Sequence, residues 1–182
     1  MAQKYILEAQ IPNWGGGGDE PQIPNNQIWY TSSYGNVEEP KATDGFGATI
    51  VSNTYSNGKG IIKFEGDVTY IVAYAFKGCK GLTSITIPNS VFRIGSYAFD
   101  GCAGLTAITI PNSVTSIGVG AFLGCSSLTS ITIGNGVKSI VESAFRNCTG
   151  LNSIVVESDN TKYDSRNNCN AIIETATNTL IA

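Results

Sequence analysis

The cysteines are the residues of this chain best suited to chemistry, but their spacing points to a structural role. Cys79, Cys102, Cys125 and Cys148 follow one another at one constant interval. Structural zinc sites and dithiol redox motifs place cysteines about two to four residues apart, and the chain contains no such pair. We therefore predict a ladder of buried, reduced thiols. Cys169 is out of register and is the one cysteine expected to be exposed.

Other residue types exclude further kinds of catalytic site. The chain contains no histidine, which removes Ser-His-Asp triads and histidine metal sites. Gly15–Gly18 and Asn57–Gly60 lack the spacing of a phosphate-binding loop, so we interpret them as linker and hairpin turn. Glu38 and Glu39 have no opposing carboxylate of the kind that glycosidases need, and neither do Asp19 and Glu20. A loop containing Asp159, Asn160 and Asp164 matches no calcium-binding pattern and is expected to be solvated.

The elements that carry these residues belong to a repeat. The phrase Ala-Phe-x-Gly-Cys begins at Ala75, Ala98 and Ala121, and a variant with Asn in place of Gly begins at Ala144. The interval is the same each time, without insertion or deletion. A strict period of this kind is the signature of a solenoid, in which each repeat forms one coil and stacks on its neighbours. We therefore predict a β-rich solenoid of about four to five coils.

Each repeat also contains a strand. Leu82, Ile85 and Ile87 recur with the same period, and the last two occupy alternate positions, as in a strand. Val91 and Ile94 recur in the same way and mark a second inward segment of the coil. The Ala-Phe pair closes the coil, since Ala fits where backbones approach and Phe fills the interior. Pro-Asn-Ser and Gly-Asn-Gly triplets form the corners.

The Leu-x-x-Ile-x-Ile strand resembles a leucine-rich repeat, and the full 23-residue phrase resembles the BspA-like (Treponema-type) subclass of that family. The resemblance covers about residues 61–156, and the tail of 160–182 is similar to an element of gut-bacterial members. It implies a right-handed leucine-rich-repeat superhelix. It also implies a bacterial surface or secreted location, and adhesion through a protein or glycan ligand such as host matrix or another bacterium. The family implies no enzymatic activity and no cofactor.

The register of the repeats predicts how the chain is organised. We expect an N-terminal segment with a flexible Gly/Pro-rich linker at 1–27, a β-rich N-terminal cap at 28–60, leucine-rich repeats at 61–156 and a C-terminal cap at 157–182. Ile62 and Phe64 match Ile85 and Ile87, so a partial first coil is expected there. Two strands, 171–174 and 179–181, should form a hairpin over the last coil. Caps of this kind protect exposed strand edges.

Composition agrees with a single domain that binds no nucleic acid. The net charge is −3, charged residues make up 14% of the chain and no basic run occurs, which argues against a nucleic-acid groove. No apolar stretch approaches the length of a membrane span. The apolar run at 5–7 is too short for a signal-peptide core, so we identify no signal peptide in this sequence.

The outward positions of the repeat are the candidate binding residues. Strand alternation turns a row of hydroxyl side chains outward: Ser84, Thr86, Thr109, Ser130 and Thr132. This row either keeps the sheet soluble or forms a flat face that recognises a protein, a glycan or ice, although the expected curvature argues against ice. A second candidate lies where the repeats differ, with Tyr70, Phe92 and Arg93 close together on adjoining coils. Aromatic and arginine clusters are typical of interfaces, whereas the alternative is sequence drift on a solvated face.

Taken together, the sequence predicts a non-enzymatic protein- or glycan-binding module. The alternative is a structural spacer or cap that presents neighbouring modules of a larger protein. Trp29, Tyr30 and Tyr34 in the N-terminal cap fit either a core or a contact surface.

Overall fold

The computed structural model describes residues 23–166 and 171–182. The predictions for Gly15–Gly18, for Asp19 with Glu20 and for Cys169 lie outside the described residues. In the described ranges the chain forms β-strands and no α-helix. None of these residues therefore belongs to a helix that could cross a membrane. In chain order the strands are β1 (Gln27–Ser32), β2 (Ile50–Ser56), β3 (Lys59–Phe64), β4 (Tyr70–Ile71), β5 (Leu82–Thr86), β6 (Arg93–Ile94), β7 (Ala107–Ile110), β8 (Ser116–Ile117), β9 (Ser130–Ile133), β10 (Ser139–Ile140), β11 (Ser153–Val156), β12 (Tyr163–Asp164), β13 (Ile173–Glu174) and β14 (Thr179–Leu180).

The predicted solenoid is confirmed, with four coils of equal length. We number them coil 1 (68–90), coil 2 (91–113), coil 3 (114–136) and coil 4 (137–159). Each coil contributes one short and one long strand. The short strands β4, β6, β8 and β10 pair in parallel. The long strands β7, β9 and β11 also pair in parallel. Strand β5 adjoins β7, where the Thr106 amide donates to the Thr83 carbonyl at 3.1 Å.

A column of phenylalanine rings fills the interior between the two ladders. Phe76, Phe99, Phe122 and Phe145 stack with ring centroids 5.4, 5.1 and 5.5 Å apart and ring planes within 5–6° of parallel. The first three rings are fully buried, and Phe145 is 9% exposed at the end of the column. The rings can superimpose because the repeat has one length throughout. The Ala-Phe pair of the sequence motif therefore marks the centre of the core.

The rest of the motif forms the turn that follows each ring. Gly78, Gly101 and Gly124 have φ angles of 72°, 71° and 69°, and Asn147 takes the same place with φ 63°. Glycine and asparagine are the residues that adopt this left-handed conformation most readily. The Gly-or-Asn position before each cysteine is thus explained by backbone geometry.

The N-terminal cap differs from a simple partial coil because an additional strand separates β3 from coil 1. Ile62 and Phe64 are buried like the repeat residues that they match, but β3 does not lie beside β5. Strand β1 lies between them and pairs antiparallel with both, giving the order β2-β3-β1-β5. The hairpin between β2 and β3 turns at Asn57 and Gly58, both with positive φ, as predicted.

The cap covers the open face of coil 1 at three places. Strand β1 covers the edge of β5. The Phe46 carbonyl accepts hydrogen bonds from the amides of Thr69 and Tyr70 at 2.9 and 3.2 Å and so covers the short-strand ladder. The Lys41 amide donates to the Ala75 carbonyl at 2.7 Å and covers the turn of the motif. These three segments complete the hydrogen bonds of coil 1 at this end of the array.

The cap includes two segments whose role the sequence did not reveal. Residues 23–26, which the sequence analysis placed in the flexible linker, pack against the array: Ile23 is buried, and the carbonyls of Asn25 and Asn26 accept the amides of Val68 and Phe64. Glu38, considered above only as one of two adjacent acids, is buried. Its carboxylate accepts a hydrogen bond from the Ser32 hydroxyl at 2.8 Å.

The predicted C-terminal hairpin is confirmed, with short strands β13 and β14. Strand β12 pairs with β13, and the Tyr163 hydroxyl accepts the Ile140 amide of coil 4 at 3.1 Å. The Asn160 amide group donates to the carbonyls of Gly134 and Val137 at 3.0 and 3.1 Å. This cover is less complete than the N-terminal one, since Cys148 and Leu151 of coil 4 are only half-buried.

Candidate binding surfaces

The predicted hydroxyl residues do lie on one outward face of the long strands. We call Ser84, Thr86, Thr109, Ser130 and Thr132 the hydroxyl face. Along β7 and β9 the side chains alternate between outward and buried positions, and Thr109 is the register partner of Thr132. None of the five is buried. The face carries no charge.

Strand β1 extends this face in a way that repeat spacing could not predict. Thr31 shares hydrogen bonds of 2.6 Å with the hydroxyls of Thr83 and Ser84. Trp29 lies opposite Thr86, but the Lys59 ammonium is 2.9 Å from the centre of its ring. One side of the indole is therefore covered by a cation–π contact. Of the other two cap aromatics, Tyr30 is buried and Tyr34 is exposed.

The residues predicted from repeat differences are brought together by the short strands. The rings of Tyr70 and Phe92 meet edge to face with centroids 4.4 Å apart. Arg93 is the register partner of Tyr70 on β6. Phe92 is 40% exposed and Arg93 is exposed, so a large apolar ring and a charge stand side by side on the surface. The proximity that the sequence predicted is therefore observed, and the binding role of these residues stays a prediction.

A second pair of aromatic residues was missed by the sequence analysis. Tyr74 and Tyr97 occupy the same position of coils 1 and 2 and stack with centroids 5.4 Å apart and planes 8° from parallel. The Lys77 ammonium lies 5.4 and 5.8 Å from the two rings and forms a 3.0 Å salt bridge with Asp100. The sequence did contain a pattern that predicts this pair, because the two tyrosines occupy the same position of adjoining repeats.

The backbone at these tyrosines is left-handed. Tyr74 and Tyr97 have φ angles of 62° and 58°, and Gly120 and Ser143 at the same position of coils 3 and 4 have 55° and 61°. The repeat therefore imposes this conformation, which costs about 1–2 kcal/mol for a residue with a Cβ atom. Glycine would fit best, so a bulky ring is an unfavourable choice for the backbone alone. Tyr74 is also 48% exposed, so burial of its ring does not account for its presence.

We call Tyr70, Tyr74, Phe92, Arg93 and Tyr97 the aromatic surface. All five belong to coils 1 and 2. The corresponding positions of coils 3 and 4 carry no aromatic residue: Thr115, Ser116, Gly120, Lys138, Ser139 and Ser143. The interior of the solenoid repeats, whereas its aromatic surface does not.

Four cysteines stand at the same position of the four coils, and those of the first three coils are buried. The Cys102, Cys125 and Cys148 thiols donate to the carbonyls of the Phe in the preceding coil, with sulfur–oxygen distances of 3.0, 3.2 and 3.1 Å. Burial raises the pKa of Cys79 to about 11 and raises the pKa of Cys102 further. Protonated thiols of this kind are poor nucleophiles. Cys148 is half-buried rather than buried, because the last coil is incompletely covered.

The described part of the chain also gathers no metal ligands. Within residues 23–166 and 171–182 there is no group of three or more Cys, Asp or Glu side chains able to hold a metal ion. Asp164 instead pairs with Arg166 at 2.6 Å, and this contact lowers the pKa of its carboxyl group. The surfaces that remain as candidates are the aromatic surface and the hydroxyl face.

Comparison with known proteins agrees with this architecture. The sequence profile of the BspA type leucine-rich repeat region matches residues 48–173, with six copies of the repeat. The chain belongs to the BspA-type leucine-rich repeat family. No curated protein sequence matches it.

Several solved structures of bacterial leucine-rich repeat proteins are similar to this BspA-type chain. One from Bacteroides ovatus is 31% identical with a TM-score of 0.49, and the alignment covers 51% of this chain and 24% of that protein. One from T. pallidum is 28% identical with a TM-score of 0.46, covering 50% and 54%. One from Bacteroides capillosus is 24% identical with a TM-score of 0.48, covering 75% and 97%. The chain thus spans about a quarter and about half of the first two proteins.

Proposed function

We propose that this protein is a non-enzymatic binding module that recognises a partner protein through the aromatic surface. The observation that carries the proposal is that the stacked tyrosines in left-handed conformation and the Tyr70–Phe92 contact both belong to the first two coils. Leucine-rich repeat proteins generally mediate protein interactions, which supports the choice of a protein partner. A location at the bacterial surface or in the secreted fraction, and a role in adhesion, belong to the same proposal.

The chemistry of the aromatic surface fits a protein interface. Tyr, Phe and Arg are enriched at interfaces, and a few such residues provide most of the binding energy. The rings at Tyr74 and Tyr97 are held parallel by their mutual stacking, so little side-chain entropy remains to be lost on binding. Preorganised rings of this kind would serve as anchors for pockets on a partner.

The charges around the rings suggest which part of a partner they meet. Lys77 and Asp100 neutralise each other in a salt bridge. Arg93 forms no ion pair with any described residue, so the aromatic surface presents one uncompensated positive charge. Opposite charges across an interface steer association and fix its register. We therefore expect a carboxylate of the partner opposite Arg93.

The proposal is tested by a binding screen followed by paired substitutions. The folded domain is screened against matrix proteins, mucins and bacterial surface proteins, and the hit is measured with Phe92→Ala and Arg93→Ala. Each should weaken binding by about 2 kcal/mol or more if it is an anchor. Thr115→Ala and Ser116→Ala alter the same repeat positions on coil 3 and serve as matched controls with unchanged affinity.

Two results would reject this site. Equal affinity of all four variants would place binding elsewhere, on the hydroxyl face or on the caps. The absence of any protein ligand from the screen would favour the spacer alternative, in which the module only presents neighbouring domains. Every variant must remain folded at the assay temperature: the Arg93, Thr115 and Ser116 variants should change stability by about 0.5 kcal/mol or less, whereas Phe92→Ala also loses its contact with Tyr70, worth about 0.5–1.5 kcal/mol.

A further inference from the structure

An open groove runs past the corners of the coils, separate from the aromatic surface. Its volume is about 610 Å³, which lies within the range of about 300–1,000 Å³ typical of small-molecule sites. Two side chains of the hydroxyl face, Thr109 and Thr132, form one wall. The remaining wall is formed mainly by Asn89, the Pro111–Ser113 corner of coil 2, Gly134 and Glu157. The groove shares no residue with the aromatic surface.

The shape of the groove depends on a change in the corner triplet. Coils 1 and 2 turn with Pro-Asn-Ser, whereas coil 3 turns with Gly134-Asn135-Gly136. A Cβ atom at Gly134 would lie 2.7 Å from the Asn112 side-chain oxygen, and one at Gly136 would overlap the Asn112 carbonyl. The coil 3 corner can pack closely on Asn112 only because both residues are glycine. This corner packing is specific to coil 3, since coils 1 and 2 turn with Pro-Asn-Ser.

The hydrogen-bonding groups in the groove have defined roles. The Asn112 side-chain oxygen accepts the Asn135 amide at 2.9 Å, and the Asn112 NH₂ group is a donor without a partner among the described residues. The Glu157 carboxylate has no hydrogen-bond or ion-pair partner among the described residues and is an acceptor. The hydroxyls of Thr109 and Thr132 can donate or accept. The groove thus offers both donors and acceptors to one ligand.

The lining also excludes several classes of ligand. No lysine or arginine lines the groove among the described residues, and Glu157 makes it negative, so phosphates, sulfated glycans and sialylated glycans would be repelled. The apolar residues among its lining are only Ile110, which is buried, and Pro111. An apolar ligand would therefore bury little surface. After anionic and apolar ligands are excluded, the class that fits the groove is a ligand rich in uncharged hydroxyl groups. Vicinal hydroxyls both donate and accept hydrogen bonds, as the groups of the groove do.

We propose that this groove binds a neutral oligosaccharide. Asn112 and Glu157 would bind adjacent hydroxyls of one sugar unit as donor and acceptor. Thr109 and Thr132 would contact the next unit along the strand face. This site is independent of the protein interface proposed above, and either could exist without the other.

The test uses the whole chain and a fixed panel of probes. Cellotetraose, mannotetraose and N-acetyllactosamine are the neutral probes, and 3′-sialyllactose and a heparin tetrasaccharide are the anionic ones. Binding is followed by chemical-shift changes of the backbone amide of Gly134, which lines the groove and is kept in every variant, up to about 10 mM ligand, where even millimolar affinities are visible. At least one neutral probe should shift this resonance, and neither anionic probe should.

Substitutions then assign the site. Glu157→Leu removes both carboxylate oxygens while keeping a side chain of similar size, and Asn112→Asp keeps the acceptor for Asn135 while deleting the donor. Each should weaken binding about tenfold, as expected for a lost hydrogen bond to the ligand. Thr132→Val should weaken it less, and Thr86→Val, on the same face outside the groove, should have no effect. Binding of all probes equally, binding of none, or equal affinity of the Glu157 and Thr86 variants would overturn the proposal.

Discussion

Coils 1 and 2 and coils 3 and 4 share one interior but present different outer surfaces. The phenylalanine rings stack with similar spacing along the column, from Phe76 to Phe145. Outside, the first two coils display the aromatic surface, whereas the last two display residues such as Thr115, Ser116 and Ser143 at the same positions. The inner positions are constrained by the neighbours above and below, while the outer ones are not.

This difference teaches where to look for function in a short repeat protein. An inward residue must match its neighbours in size, because a coil cannot bury its apolar face alone. An outward ring that departs from the other coils, and that occupies a left-handed backbone position while 48% exposed as Tyr74 does, has no such structural explanation. Positions where the repeats differ are thus more informative about binding than the motif that defines the family.

The largest effect is expected from removing an interior ring. Phe99→Ala should reduce the free energy of unfolding by about 3–5 kcal/mol, since Phe99 is fully buried and stacks on rings at both sides. Phe145→Ala should cost about 3 kcal/mol or less, because Phe145 is 9% exposed and stacks on one ring. Urea denaturation of both variants provides the measurement. Equal losses would show that the ends of the column are as well packed as its centre.

The cysteine of the last coil should react faster with a thiol reagent than those of the first three coils. At pH 8 a thiol reagent should modify Cys148 at least about tenfold faster than Cys79, Cys102 or Cys125, because reactivity requires an accessible thiolate. The rate at Cys79 should increase as the pH rises toward its pKa of about 11. Mass spectrometry of the peptides after timed labelling measures each site. Rapid labelling of all of them in the native protein would refute the buried column.

Replacing the stacked tyrosines should weaken binding without lowering stability. Tyr74→Gly with Tyr97→Gly relieves backbone strain of about 1–2 kcal/mol per residue and loses a stacking contact of about 0.5–1.5 kcal/mol. The melting temperature should therefore stay the same or rise slightly, while affinity for the partner protein falls at least about tenfold. Calorimetry on the same samples measures both quantities. A large loss of stability would instead assign the pair a structural role.

The smallest effect is expected from the salt bridge beside these rings. Lys77→Met removes the pairing with Asp100 while keeping the length of the side chain, and should leave the stability almost unchanged. The side chain of Lys77 is 51% exposed, so solvent screens the interaction. Thermal denaturation at low and high salt is the check. A strong salt dependence that disappears in the variant would contradict this expectation.

The sequence predicted the parts of the fold that repeat. The coil and its interior phenylalanine follow from the constant repeat length, because identical neighbours impose identical packing. The position of β1 between β3 and β5 could not be predicted, since β1 has no repeat register and its pairing is set by tertiary contacts. The burial of Glu38 could not be predicted either, because its hydrogen-bond partner Ser32 lies on β1.

The candidate sites were only partly predictable for the same reason. Tyr70, Phe92 and Arg93 could be placed together because adjoining coils align equivalent positions. The Tyr74–Tyr97 stack was open to the same reasoning, but its significance depends on the positive φ angles, which the sequence does not reveal. The groove beside Asn112 needed the structure, because it arises from the close approach of one glycine-containing corner to another corner.

Tyrosine nitration in the presence and absence of the partner protein tests the central claim most directly. Tyr74, at 48% exposure, is accessible in the free protein, and Tyr34 of the N-terminal cap, at 64%, is an internal control. If the partner binds the aromatic surface, nitration of Tyr74 should be suppressed in the complex while nitration of Tyr34 continues at its original rate. Unchanged nitration of Tyr74 in a saturated complex would contradict the account.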